Sequence, residues 1–296
     1  MPKTDAETPI ADILLATDLS SRCDRATERA IQLAQAWKAK LHVVTAVEED
    51  FRQPSWRSSS APVLAQAQVD IAEAVGDRKV DWSAEVVAGA PDDVLDDRAR
   101  EIGADLIVTG AARNELLGRM TPGRSVETMI REAEAPVLVV KRRPSKPYAR
   151  IFAPTDFSSL AEAALVRAAA LWPEAEFHQL HAYRVPFAGF LSEEAHQGEA
   201  RDAALKEQAE FVARLEARTG RKGAFRSLVE YGESDQLVHD YAVSAQPDLM
   251  VLGGHDHGGF LGWLFPDVAG RLLMSVNCDV LVVTEARAKA LRSQEA

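Results

Sequence analysis

The sequence predicts an α/β fold made twice, each copy a parallel sheet with helices on both faces. Three observations carry this. Residues 104–140, ADLIVTGAARNELLGRMTPGRSVETMIREAEAPVLVV, return as residues 247–283, PDLMVLGGHDHGGFLGWLFPDVAGRLLMSVNCDVLVV, with Asp105, Gly110 and Val137 matched by Asp248, Gly253 and Val280, each 143 residues on. A single long offset marks a duplicated domain rather than a solenoid of short repeats. Within each half, short apolar runs alternate with segments of helical spacing, the pattern of βαβ units. The runs Leu106-Ile107-Val108 and Val137-Leu138-Val139-Val140 lack polar alternation, as expected of strands covered on both faces.

In the first half, Ile13 to Ala16 reads as a strand that leads into Thr17-Asp18-Leu19-Ser20-Ser21, a turn followed by a helix N-cap. The helix that follows spans roughly residues 24–38, with Ala26, Ala30, Leu33, Ala34 and Trp37 spaced three and four apart. Residues 41–47 make the next strand and residues 50–62 a Ser- and Pro-rich loop. A second helix covers residues 64–75 and a third strand residues 82–87. Gly89-Ala90-Pro91-Asp92-Asp93 opens a helix whose acidic start suits its dipole. After the 106–108 strand, Gly110 permits a tight turn, and Gly118, Pro122 and Gly123 mark a loop before a helical piece at 126–131. Strand, Gly-bearing loop and helix N-terminus in that order can hold an anion on free backbone N–H groups.

Residues 141–150, KRRPSKPYAR, read as a solvated linker between domains 1–143 and 144–296. The second half repeats the plan. Residues 151–154 lead to Thr155-Asp156-Phe157-Ser158-Ser159, where Ser158 reads as a helix cap and Ser159 to Glu162 has capping-box spacing. A strand at 176–183, a loop at 184–199, an amphipathic helix at 201–218, a strand at 225–230 and a helix at 236–244 precede the repeated block. A charged, frayed tail is expected from Arg287 onward.

Composition narrows the functional classes. The 296 residues carry 34 basic and 45 acidic side chains, a formal net charge of -11, which argues against a nucleic-acid surface and against recruitment to an anionic membrane. No apolar run approaches the ~18–20 residues of a membrane span. The acidic N-terminus shows no secretory signal, and two non-equivalent cysteines, Cys23 and Cys278, fit a reducing cytoplasm better than a disulfide framework.

Taken together, the ATD and PTD strand ends, the Gly89 and Gly232 turns, the DLIVTG and DLMVLG strands and the two VLVV runs resemble the universal stress protein family in its tandem form. The resemblance implies two doubly wound five-stranded parallel sheets, paired as an intramolecular pseudo-dimer through their last strands, and a cytoplasmic stress-response role. Nucleotide-binding members carry G-x-x-G, nine residues, then Gly and Ser or Thr. Mapped here, the resemblance implies nucleotide-binding positions Thr17, Asp18, Ala46, Gly110, Arg113, Gly123, Arg124 and Ser125. In the second cleft the corresponding positions include Thr155, Asp156, Ala182 and Gly253. Arg113 and Arg124 replace a Gly and the hydroxyl residue of the pattern; they can clamp phosphates through their fork geometry or fill the groove. In the second half Asp256, Pro266 and Asp267 take the matching places and oppose a polyphosphate by like charge and a lost donor.

The leading expectation is therefore a protein that binds ATP or a related nucleotide, or another small ligand, in its N-terminal domain without efficient turnover. The alternative is a scaffold that binds no nucleotide and serves a protein partner or a homo-oligomer. His255 and His257 flank Asp256 and can hold a divalent metal; with no third or fourth ligand nearby in sequence, an exposed polar loop is the simpler account. His181 either packs in the core or lines the cleft. No G-x-S-x-G elbow is present, so nothing points to a serine hydrolase.

Overall fold

A computed structural model describes residues 10–21, 23–47, 61–111, 113–114, 119–120, 129–130, 133–184, 193–254 and 276–284. The chain divides into two compact units, one spanning Pro9–Lys146 and the other beginning at Pro147.

The first unit runs β1 (Asp12–Ala16), α1 (Asp24–Trp37), β2 (Lys40–Val47), α2 (Ala61–Val75), β3 (Trp82–Ala88), α3 (Pro91–Glu101), β4 (Leu106–Gly110), the short strands β5 (Arg113–Asn114) and β6 (Arg119–Met120), then β7 (Val137–Val140). Its main sheet has the order β7-β4-β1-β2-β3, all neighbours parallel. Along β1, Ile13, Leu14 and Leu15 are each 0% exposed. Successive strand residues face opposite ways, so complete burial of three in a row means both faces are covered. Helix α1 supplies part of that cover through Ala26, Ala30, Ile31, Leu33 and Ala34.

The second unit runs β8 (Arg150–Pro154), α4 (Ser159–Leu171), β9 (Glu176–Tyr183), α5 (Glu193–Thr219), β10 (Phe225–Tyr231), α6 (Ser234–Ala245), β11 (Leu249–Gly254) and β12 (Asp279–Thr284). Its parallel order, β10-β9-β8-β11-β12, matches the first. Phe152 of β8 meets Tyr241 of α6 with ring centroids 4.5 Å apart, and Phe211 and Leu215 of α5 are buried.

Equivalent residues hold equivalent joints. Asp105 Oδ2 accepts the N–H groups of Ala11 and Asp12, and Asp248 Oδ2 accepts those of Ala149 and Arg150. Each acid therefore ties the start of the fourth strand to the start of the first. Gly89 and Gly232 take φ of +145° and +151°, and a Cβ on Gly89 would meet Val94 at 2.8 Å, which explains glycine at both turns.

Three sequence expectations change. Helix α5 begins at Glu193, not near residue 201, and runs 27 residues through Gly198. Its interior holds Gly198, which costs a helix only ~1 kcal/mol, and the long amphipathic segment outweighs that. The N-cap of α4 is Ser158, whose Oγ accepts the Ala161 N–H, while Glu162 turns away from the capping box toward Arg214 and Arg218. The solvated basic segment after β7 is also tied to α1: Arg25 donates to the Lys141 carbonyl at 2.6 Å and Arg29 to the Lys146 carbonyl at 3.0 Å. Finally, the loop after β4 carries a two-residue antiparallel ladder, β5 with β6. The expected frayed tail lies outside the described residues.

Candidate functional site

In each sheet the strand order reverses between the first and fourth strands. An open α/β sheet leaves a crevice beyond the carboxyl ends of its strands at such a reversal. In the first unit that place is bounded by Thr17 and Asp18 after β1 and by Gly110 at the end of β4. The pairing of Ala16 with Thr109 carries Thr17 level with Gly110. In the second unit, the pairing of Met250 with Phe152 carries Gly253 level with Thr155 in the same way.

The turns that enter both crevices are built alike. Thr17 Oγ1 accepts the Leu19 N–H at 3.0 Å, and Asp18 Oδ1 accepts the Ser20 N–H at 2.9 Å. Thr155 Oγ1 accepts the Phe157 N–H at 3.0 Å, and Asp156 Oδ1 accepts the Ser158 N–H at 3.0 Å. Short polar side chains that bond two residues ahead are the usual means of closing such turns. They hold Leu19 and Phe157 at φ of +57° and +61°, a region that large side chains seldom adopt. One oxygen of each aspartate is thus committed to its own turn.

Beyond the turns the crevices differ. In the second unit Phe157 stacks on His181, with centroids 4.2 Å apart and planes 24° from parallel. The His181 Nδ1 lies 2.8 Å from the Thr155 carbonyl, an acceptor only, so Nδ1 carries the proton. Phe157 also meets Phe211 at 5.3 Å, and Arg214 reaches its carbonyl at 3.5 Å while donating to Glu162 at 2.8 Å. An aromatic plate pinned from three sides covers the ends of β8 and β9. His181 is therefore half-buried under Phe157 rather than deep in the core. In the first unit Leu19 stands where Phe157 does, and no two aromatic rings meet at the ends of β1 and β2 among the described residues. Cys23 lies beside Asp18, its Sγ 3.2 Å from Oδ1, and burial pushes its thiol above the ordinary cysteine value. This cysteine is held protonated, not activated.

Gly253 has a packing reason for being glycine. A Cβ there would lie 2.9 Å from Cγ of Leu160 and 3.1 Å from its backbone C and O atoms. The first turn of α4 thus presses against the end of β11.

The remaining sequence-read positions fall as follows. Ala46 and Ala182 are half-buried near the ends of β2 and β9. Gly110 is buried and pairs with Val140. Arg113 lies in the β5–β6 ladder opposite Met120. Gly123, Arg124, Ser125, His255 and His257 lie outside the described residues. Among the described residues no group of three or more His, Cys, Asp or Glu side chains is arranged to hold a metal.

Sequence reasoning missed Phe157, because nothing in an aromatic after Asp announces a lid. It also missed Arg29, buried in α1, and Arg167, which matches it in α4. Both stand a fixed distance after their Thr-Asp turns, so the duplication itself was the available signal.

No curated protein matches the chain. Among solved structures, a universal stress protein from Pseudomonas aeruginosa UCBPP-PA14 is 19% identical, with a TM-score of 0.67 over 97% of this chain and 98% of its own. One from Archaeoglobus fulgidus DSM 4304 is 14% identical, with a TM-score of 0.67 over 94% and 99%. A shorter structure, described as a universal stress protein in complex with cAMP, is 28% identical over 45% of this chain and 98% of its own, with a TM-score of 0.35. The model of the universal stress protein family matches residues 10–141 and again residues 147–284. A match across nearly the whole length, twice, on a fold whose two sheets share one strand order and one turn chemistry, means that this chain belongs to the universal stress protein family.

Proposed function

We propose that this chain is a cytoplasmic stress-response protein that binds an adenine nucleotide, ATP or a relative of it, in the crevice of its first unit and turns it over inefficiently or not at all. The observation that carries this reading is the divergence of two crevices that begin with the same Thr-Asp turn. The second has Phe157 and His181 stacked across the ends of its strands. The first has Leu19 and Thr45 at the equivalent places, with no aromatic ring between them and Ala46, the counterpart of Ala182, among the described residues. A flat base needs such room, and small-molecule sites are concave and mostly apolar with few polar contacts. Arg113 and Arg124 supply the charge for the phosphates. Asp18 is bound into its own turn, so it is assigned to positioning and not to proton transfer. The cytoplasmic assignment rests on the acidic balance of 45 acidic to 34 basic residues and on sparse cysteine usage.

For the second unit the plate of Phe157, His181 and Phe211 favours a different reading, a crevice filled by its own side chains and free to serve as a scaffold. The acidic replacements Asp256 and Asp267 in the sequence point the same way.

Calorimetric titration of the full chain with ATP at fixed salt tests both statements. One nucleotide per chain is expected. Replacing Arg113 and Arg124 together by Ala should weaken it about ten- to a hundredfold, the scale of ~1.5–3 kcal/mol for hydrogen bonds to a charged group. Unchanged affinity in the double variant defeats the clamp. Failure of the parent to bind leaves the scaffold reading for both units.

A further inference from the structure

We infer that the outer edge of β10 is a homodimer interface, at which two copies of this chain pair antiparallel about a two-fold axis through Leu228.

The backbone of β10 is half used. The Phe177 N–H donates to the Ala224 carbonyl and the Gly232 N–H to the Tyr183 carbonyl. In a parallel ladder these bonds fix the parity: even-numbered residues of this stretch face β9. The N–H and C=O groups of Phe225, Ser227, Val229 and Tyr231 therefore point to the other edge, where no strand pairs among the described residues. An open row of this kind is a template for another strand.

The side chains at that edge form a self-complementary set. Arg226, Leu228 and Glu230 share one face; Leu228 is 40% exposed, the Arg226 side chain 67%, and Glu230 is exposed. Arg226 has only a loose contact with Glu176, at 3.9 Å. In an antiparallel pair centred on Leu228, Arg226 of one copy opposes Glu230 of the other, twice, and the leucines oppose each other. The same register sets Ser227 against Val229 and Phe225 against Tyr231. These are the residues with outward backbone groups on both strands, so each such pair can exchange two hydrogen bonds. Sliding by two residues preserves that parity but puts Arg226 opposite Leu228. Only the Leu228-centred register satisfies backbone and charge together, and it is isologous, as closed dimers require. The edge strand of the first unit is managed differently: Glu85 of β3 is paired with Arg98 of α3 at 3.4 Å, and none of the exposed large apolar residues belongs to β3.

Sedimentation velocity of the full chain, from micromolar to high micromolar concentration, tests the interface. The parent should dimerise. Arg226→Glu and Glu230→Arg each place two like-charged pairs across the axis and should weaken the dimer about tenfold or more. An equimolar mixture of the two variants sets two acids on one strand against two arginines on the other and should restore dimers of parental strength. Because both positions are exposed, far-UV circular dichroism is expected to match the parent. A monomeric parent overturns the inference. So do single variants that dimerise as the parent does, or folded variants whose mixture remains monomeric. The inference does not depend on what the crevices bind.

Discussion

Gly253→Ala separates a packing role from a ligand role at the end of β11. The backbone there needs no glycine for conformational reasons; what matters is space. A methyl at 2.9 Å from Cγ and 3.1 Å from C and O of Leu160 falls short of the ~3.5 Å of an ordinary contact by about 0.4–0.6 Å. Leu160 is 1% exposed and two of the three clashing atoms are backbone, so a rotamer change does not relieve them. The first turn of α4 must shift, and overpacking of this kind costs about 1–3 kcal/mol. For a unit of this size that lowers the melting temperature by roughly 2–4 °C per kcal/mol. Two units need not unfold together, so the assay is urea denaturation read by hydrogen exchange in α4 and β11, which reports the second unit by itself. Gly198→Ala is the control. Gly198 lies inside α5 and a Cβ there meets nothing within 4 Å, so alanine should stabilise α5, by up to ~1 kcal/mol. If Gly253→Ala unfolds where the parent does, the close approach to Leu160 is not a constraint and the packing argument fails.

Two further outcomes follow from the structure. The Glu162 carboxylate, 11% exposed, receives Arg214 at 2.8 Å and Arg218 at 3.2 Å; Glu162→Ala should cost the second unit about 1–3 kcal/mol in urea, below the cost of a fully buried pair because Arg214 is 47% exposed. A variant as stable as the parent shows that these bonds are worth no more than their hydration. Burial pushes the Cys23 thiol above its ordinary value of 9.0, so the folded state favours the protonated form, and this contribution to stability is present below about pH 9 and lost as the pH rises through the folded value. Alkylation of Cys23 by iodoacetamide, followed by peptide mass, should accordingly be slow at neutral pH and accelerate only in the alkaline range; rapid labelling at pH 7 contradicts the assignment.

Buried elements were legible in the sequence because their composition has one explanation. The unbroken runs at 13–16, 106–108 and 137–140 can only be covered strands in a domain of this size, and the internal match doubled the information. Boundaries were less legible where two local rules competed. The stretch at 184–199 read as a loop, yet the 27-residue α5 starts within it at Glu193, and adjacent Ser158 and Ser159 offered two caps, of which geometry selects the first. The crevice floor was legible as the Thr-Asp turn, since Asp and Thr close turns by known means. The crevice mouth was not. Whether Phe157 lies over His181 depends on Phe211, Arg214 and Glu162, more than fifty residues apart in the chain for the first two, and no local pattern carries that.

The duplication sorts roles more sharply than either half alone. Residues that close the fold are kept in both copies: the Thr-Asp turn, Gly89 with Gly232, Asp105 with Asp248, and Arg29 with Arg167. Residues at the strand ends beyond those turns are not kept: Leu19 stands against Phe157 and Thr45 against His181, and in the sequence Arg113 stands against Asp256. Loss of a closing residue would cost stability wherever it occurred, so both copies are held to it. A ligand-facing residue is held only by its ligand. The copy that acquired an aromatic plate over its crevice also carries acids where the other carries arginines. Both differences lie in the same copy, and each is unfavourable to a flat anionic ligand; the proposed assignment of a nucleotide to the first unit rests on that contrast.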